Sequence, residues 1–188
     1  MHLYSFCPVF LCLVTSAPAL SADDQAFFSP EGYRLSEFRS PVPPSLTGTE
    51  VVDTSAVQRL LADPDTGPIP IDVLPAPVKP DGLPATSLWL PPDHTNIPGS
   101  VWLPNVGFGR LSDALDIYFR DNLERLTDGD RDKPILIYCL ADCWMSWNAA
   151  KRAAQAYGYT RVYWYPEGTT GWEAAGLPLA KSRPVPMD

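Results

Sequence analysis

The sequence predicts an α/β fold, a mostly parallel sheet with helices on both faces, preceded by an irregular N-terminal arm. Three observations carry this expectation. Short apolar runs of strand length alternate with stripes of helical period through the second half of the chain. The run Ile135-Leu-Ile-Tyr138 is apolar without interruption, as in a strand buried on both faces of a parallel sheet. Proline-rich stretches, which suit neither helix nor central strand, fill much of residues 23–54 and 74–104.

Taken in order, Leu3 to Leu20 is apolar and lacks Asp, Glu, Lys and Arg. Residues 1–22 therefore read as a secretory signal peptide, cleaved after Ala19 or Ala22. An uncleaved anchor is the alternative, since the run borders on the ~20 residues that span a bilayer. Residues 23–54, with Phe27-Phe28, Pro30 to Arg34 and Arg39 to Pro43, form the arm. Ser55-Ala-Val-Gln58 is a capping box and predicts Ser55 as the cap of a short helix through Leu60-Leu61. Ile69 to Val73 reads as a short buried strand, with Pro70 near its start.

Prolines recur from Leu74 to Pro104, so an extended surface excursion is expected there, pinned to the body by Trp89 and Trp102. Asn96 to Leu103 turns and then offers a strand. Leu111, Leu115, Tyr118, Phe119, Asn122, Leu123 and Leu126 share one helical stripe, with Ser112 as its cap. Thr127 to Asp132 is a charged turn. After the apolar strand comes a helix from about Met145 to Tyr157, stopped by Gly158. Arg161 to Tyr165 is a further strand, Pro166 to Gly171 a loop, and Trp172 to Ala175 a last helical turn ending at Gly176. There is no internal repeat.

At 188 residues the chain can bury the core of one domain. Its net charge of −8 argues against binding nucleic acid or an anionic membrane, and no stretch after the signal is apolar enough to span a bilayer. Of four cysteines, Cys7 and Cys12 lie in the segment expected to be removed. Export leaves Cys139 and Cys143 as the thiols and His94 as the remaining histidine.

Cys139 closes the apolar strand at its carboxyl end, where sites gather in parallel sheets. The loop Leu140-Ala-Asp-Cys143 leads into the helix, so its amides and the helix dipole can stabilise a thiolate or cradle a persulfide at Cys139. Trp144 and Met145 complete the expected loop and pocket. A buried, inert cysteine is the plain alternative. A Cys139–Cys143 disulfide needs a loop or a distorted first turn, because positions four apart on a helix hold Cβ atoms about 5–6 Å apart against the ~3.8 Å of a disulfide. Asp142 opposes a thiolate, and the loop contains no Lys or Arg. Arg34 or Arg39 can fold over it as the missing cation, although a surface position is expected for both. Trp144 and Trp147 are either an apolar lid over the sulfur or ordinary core aromatics. Cys139, Cys143 and Met145 with a remote His94 suit Cu(I) as softer ligands, zinc lacks a second ligand pair, and covalent haem is excluded because Trp144 follows the second cysteine. No metal and no cofactor is expected. His94, in Pro92-Asp-His-Thr-Asn96, is expected as a solvated loop residue.

Across roughly residues 55–180 the chain resembles a rhodanese-like domain, leaving 181–188 as a tail. The resemblance rests on Ile71-Asp-Val73, Asn96-Ile-Pro-Gly-Ser100, Tyr138-Cys139 through Ala149-Ala150, Tyr157 to Val162, Glu167-Gly168, Trp172 and Ala175-Gly-Leu-Pro178. More narrowly, it is similar to the exported PQQ-dependent catabolism-associated CXXCW motif proteins. That resemblance implies a periplasmic accessory whose partner is a PQQ-dependent dehydrogenase or its electron carrier. It implies Cys139 as the sulfur-bearing nucleophile. Three departures stand out: Leu74 replaces the family's usual Arg, Asp142-Cys-Trp-Met145 replaces its loop cation, and three residues separate Cys139 from Cys143 where the narrower family's label has two. The expected chemistry is thiol–disulfide or persulfide exchange, with Cys139 reactive and Cys143 resolving. Efficient thiosulfate sulfurtransfer is not expected, since no loop cation holds the dianion. A non-catalytic module that docks a dehydrogenase or carrier is the reading from another class.

Overall fold

A computed structural model describes residues 26–63, 66–80, 82–84, 86–88, 90 and 92–187. The expected signal peptide and Trp89 lie outside the described residues. Among the described residues no helix is long and apolar enough to cross a membrane.

A five-stranded, wholly parallel sheet forms the centre. Its strands are β1 (Glu50–Val51), β2 (Ile69–Asp72), β4 (Val101–Trp102), β5 (Ile135–Tyr138) and β6 (Val162–Tyr165), in the order β1-β6-β5-β2-β4. The uninterrupted apolar run is the central strand, and all four of its residues are buried. Its register pairs Tyr138 with Asp72 on one side and with Tyr165 on the other. A separate antiparallel ribbon joins β3 (His94–Asn96) to β7 (Ala180–Ser182). The sheet thus begins at Glu50, within the stretch expected as arm, and the last strand runs into the stretch expected as tail.

Side chains alternate across the central strand, and each set meets its own helices. Ile135, Ile137 and Cys139 join the larger core with Phe119 and Leu123 of α2 (Asp113–Thr127) and Ala149 and Ala150 of α3 (Trp144–Lys151). Leu136 and Tyr138 join the smaller core with Val57 of α1 (Thr54–Leu61) and Trp172 of α4 (Gly168–Ala174). Helices therefore cover both faces. The arm adds Leu46 to the larger core, with Phe38 and Val42 packed against it.

Three elements differ from expectation. The cap of α1 is Asp53, whose Oδ1 accepts the Ala56 N–H at 2.7 Å, and Ser55 sits inside the helix. A carboxylate at that end also meets the positive pole of the helix, which serine cannot match. Second, the helix expected to Tyr157 widens after Lys151 into a π-helical turn over Arg152–Ala156, where Tyr157 N–H reaches back five residues to the Arg152 carbonyl. The buried Arg152 guanidinium there serves the carbonyls of Val106, Phe108 and Gly109. Third, α4 begins at Gly168, in the stretch expected as loop. The cap predicted for α2 is present: Ser112 Oγ accepts the Leu115 N–H.

The proline-rich excursion carries Val78, Leu83, Leu88 and Leu90 exposed to solvent. Its root is held by Trp102, whose Nε1 donates to the Leu74 carbonyl at 2.7 Å.

Candidate functional site

Cys139 leaves the central strand and Cys143 opens α3, and the two are joined as a disulfide with a Cα–Cα distance of 6.4 Å. The bond exists because the intervening residues turn rather than wind into a helix. Asp142 takes a left-handed conformation, φ 50°, and Cys143 is extended at φ −124°. Asp142 itself is exposed. Cys139 and Cys143 are 1% and 2% exposed and belong to the larger core. Both sulfurs are thus bonded to each other and covered, the disulfide being the pairing that a turn between the two cysteines allows.

Backbone contacts fix the loop from two sides. On one side, the Cys139 carbonyl accepts the Thr169 N–H at 3.0 Å, Leu140 forms a β-bridge with Gly168, and Ala141 N–H reaches Thr170 Oγ1 at 3.3 Å. Gly168 has φ 52°, and a Cβ there would sit 2.2 Å from the Cys139 carbonyl oxygen, so only glycine fits this approach. At the base of α3, Ser146 Oγ donates to the Cys143 carbonyl and accepts the Trp164 indole N–H, each at 3.1 Å.

The other side is the arm. Arg39 forms an antiparallel bridge with Cys143, and the Phe38 carbonyl accepts the Trp144 N–H at 2.9 Å. The Trp144 indole N–H donates to Ser40 Oγ at 3.0 Å. Deeper in, Asn148 of α3 accepts the Arg34 N–H and donates to the Arg34 and Gly107 carbonyls, all at 2.9 Å. Arg34 was expected at the surface, yet it is buried, because its guanidinium lies over the rings of Phe27, Phe28 and Trp144 and Nε donates to the Ser36 carbonyl. Arg39 is exposed, as expected.

Trp144 and Trp147 meet edge to face at 5.2 Å. With Phe28, Pro30 and Pro43 they line a shallow apolar cleft of about 530 Å³ beside the cysteine loop. Met145 is buried core beneath them.

His94 overturns its expectation as a solvated residue. Its Nε2 lies 2.6 Å from Asp72 Oδ2, with side chains 9% and 1% exposed, and its ring stacks on Trp102 at 3.7 Å. A carboxylate at the end of a buried strand requires such a partner. Burial pushes the Asp72 carboxyl above its usual range, opposed by His94 and the Leu74 N–H. Asp72 pairs in register with Tyr138, whose phenol donates to Ser100 Oγ at 2.6 Å and accepts the Ile97 N–H at 3.1 Å. Burial, then the nearby Asp72 charge, raises the Tyr138 pKa well above the ordinary value. This polar group lies on the face opposite Cys139, so His94 is not gathered with the sulfurs. Among the described residues no cluster of three or more His, Cys, Asp or Glu is arranged to hold a metal.

The rhodanese-like domain model matches residues 87–175, which take in the later part of the excursion, the central strand, the cysteine loop and α4. The fold is rhodanese-like. Two solved structures align with the chain in part. A thiosulfate sulfurtransferase from Pseudomonas aeruginosa aligns with 17% identity and a TM-score of 0.47 over 72% of this chain and 21% of that one. The polysulfide-sulfur transferase homodimer from Wolinella succinogenes aligns with 18% identity and a TM-score of 0.40 over 71% of this chain and 79% of that one. The chain thus spans about a fifth of the Pseudomonas protein. No curated protein matches the sequence.

Within this rhodanese-like fold, sequence reasoning placed the loop but missed what covers it. Asn148 gave a signal, a polar residue next to the small apolar pair Ala149-Ala150 on a helix expected to face the core. The pairing of Arg39 with Cys143 joins residues 104 positions apart, and no local pattern announces it.

Proposed function

We propose that the protein is an exported accessory that exchanges electrons with external thiols through Cys139 and Cys143. The observation that carries this reading is the disulfide at the carboxyl end of the central strand, with the arm bridged to Cys143. An external thiolate attacks the Cys139 sulfur; the Cys139–Cys143 bond breaks, and Cys143 departs as a thiolate that takes up a proton. A second external thiolate attacks the mixed disulfide, releases an external disulfide and leaves Cys139 reduced. Two external thiols lose two electrons and the protein disulfide gains them. In the reverse direction Cys139 attacks a partner disulfide and Cys143 resolves it. Access requires the loop and the arm segment bridged to it to part by the small displacement that admits a thiol, since both sulfurs are covered in the closed form.

The loop from Cys139 to Cys143 holds no Lys or Arg, so thiosulfate is a poor donor under this reading. We extend the proposal to the periplasm, beside a PQQ-dependent dehydrogenase or its carrier. Its support is the charge-free apolar N-terminus and the resemblance carried by the Cys139–Trp144 stretch. The apolar cleft beside Trp144 favours a second reading, a docking module without chemistry.

Thiosulfate:cyanide assay with thiol titration separates these. Exchange predicts negligible turnover and two thiols after mild reduction. Robust turnover with a free Cys143 moves the function to sulfurtransfer. Normal growth on alcohols with Cys139→Ser, at wild-type protein level, leaves docking alone.

A further inference from the structure

We infer that Arg39, carried by the arm, makes the disulfide selective for anionic thiols; the inference rests on the exchange chemistry proposed above. The residue is held in place on both sides. Phe38 before it accepts the Trp144 N–H, and Ser40 after it accepts the Trp144 indole N–H while donating to the Glu37 carbonyl at 2.8 Å. Glu37 takes a left-handed turn, φ 49°, that delivers this segment to the loop. Arg39 therefore stands opposite Cys143, and residues directly opposed across an antiparallel pair send their side chains to the same side. Arg39 is exposed, so its guanidinium meets solvent on the side of the pair that carries the cystine.

The charge is available. Among the described residues no carboxylate lies within ion-pair distance of Arg39, whereas Arg34, the other cation of this part of the arm, is buried among three aromatic rings. Asp142, the loop's own charge, is exposed and repels anions from the sulfur. Arg39 thus decides whether an approaching anion meets attraction or repulsion. The molecule as a whole is acidic, so a local cation at the cystine acts as a filter on the reductant's charge. The substrate class is a thiol that carries a further negative charge close to its sulfur.

The test is the rate at which three small thiols reduce the native protein. They are 2-mercaptoethanesulfonate (anionic), 2-mercaptoethanol (neutral) and cysteamine (cationic), applied to wild type, Arg39→Gln, Arg39→Lys and Arg39→Glu. Comparing variants with the same thiol cancels that thiol's own reactivity. The anionic-to-neutral rate ratio should fall about fivefold in Arg39→Gln, the effect of one close surface charge. It should fall further in Arg39→Glu, stay near wild type in Arg39→Lys, and shrink with added salt. Ratios that do not depend on residue 39 overturn this inference and leave the exchange chemistry standing. Failure of every thiol to reduce wild type short of unfolding overturns the exchange chemistry itself.

Discussion

Asn148 and Arg34 exchange two hydrogen bonds of 2.9 Å, so one side-chain amide of α3 clasps the backbone of a single arm residue through both its N–H and its carbonyl. The same amide holds the Gly107 carbonyl. Asn148→Ala leaves three buried backbone groups without their partner, each costing about 1–3 kcal/mol when unsatisfied. Relaxation of the arm recovers part of that, and a loss of roughly 3 kcal/mol is expected from urea titration. The arm should also become protease-sensitive, and reduction of the cystine should speed up at urea concentrations where the sheet stays folded.

The disulfide closes a loop of about five residues, for which the chain-entropy model gives a stabilisation of about 2 kcal/mol. Reduction should therefore lower the unfolding free energy by that amount without changing the denaturant slope. Equilibrium titrations with and without dithiothreitol check this. A loss much larger than this makes the bond a principal staple of the fold.

Gly168 meets the Cys139 carbonyl where no side chain fits. Gly168→Ala adds a backbone clash to a left-handed φ, so a loss of about 3 kcal/mol or more is expected. For a domain of this size that lowers Tm by about 6–12 °C. Gly176→Ala, with φ 73° but open space around it, should cost less. Thermal unfolding of the two variants side by side separates strain from collision.

Asp72 supplies a pH signature. Burial raises its folded carboxyl above the unfolded value of ~3.9, so the fold binds the proton more tightly than the unfolded chain does. That contribution to stability is fully present below the unfolded pKa and is lost as pH rises through the folded one. The stability advantage of wild type over Asp72→Asn should thus be largest near pH 4 and decline toward neutrality. Urea titrations of both proteins between pH 4 and 7 check the sign.

Much of this architecture was legible in the chain. The apolar tetrad Ile135–Tyr138 announced the central strand because both of its faces are buried, and Ser112 announced its helix because capping is local chemistry. The cysteine loop followed from its place between those two kinds of element. His94 was misread because its surroundings in sequence are polar and turn-like, while its partner Asp72 lies 22 residues earlier across the excursion. The arm was misread in part for the same reason. Arg34 meets Asn148 and Trp144 of α3, and Arg39 meets Cys143 just before it, through an amide clasp, a ring contact and one backbone bridge between residues far apart in sequence, and hydrophobic period carries no information about such pairings. The π-turn at Arg152 is likewise set by three distant carbonyls.

The most direct test of reversible exchange is the mass of the Cys139–Cys143 peptide from native protein alkylated before and after brief treatment with dithiothreitol, with circular dichroism followed throughout. Exchange chemistry predicts no label before reduction, two labels after it, and an unchanged native spectrum. Labels that appear only as the spectrum is lost would contradict it and make the cystine a structural tie.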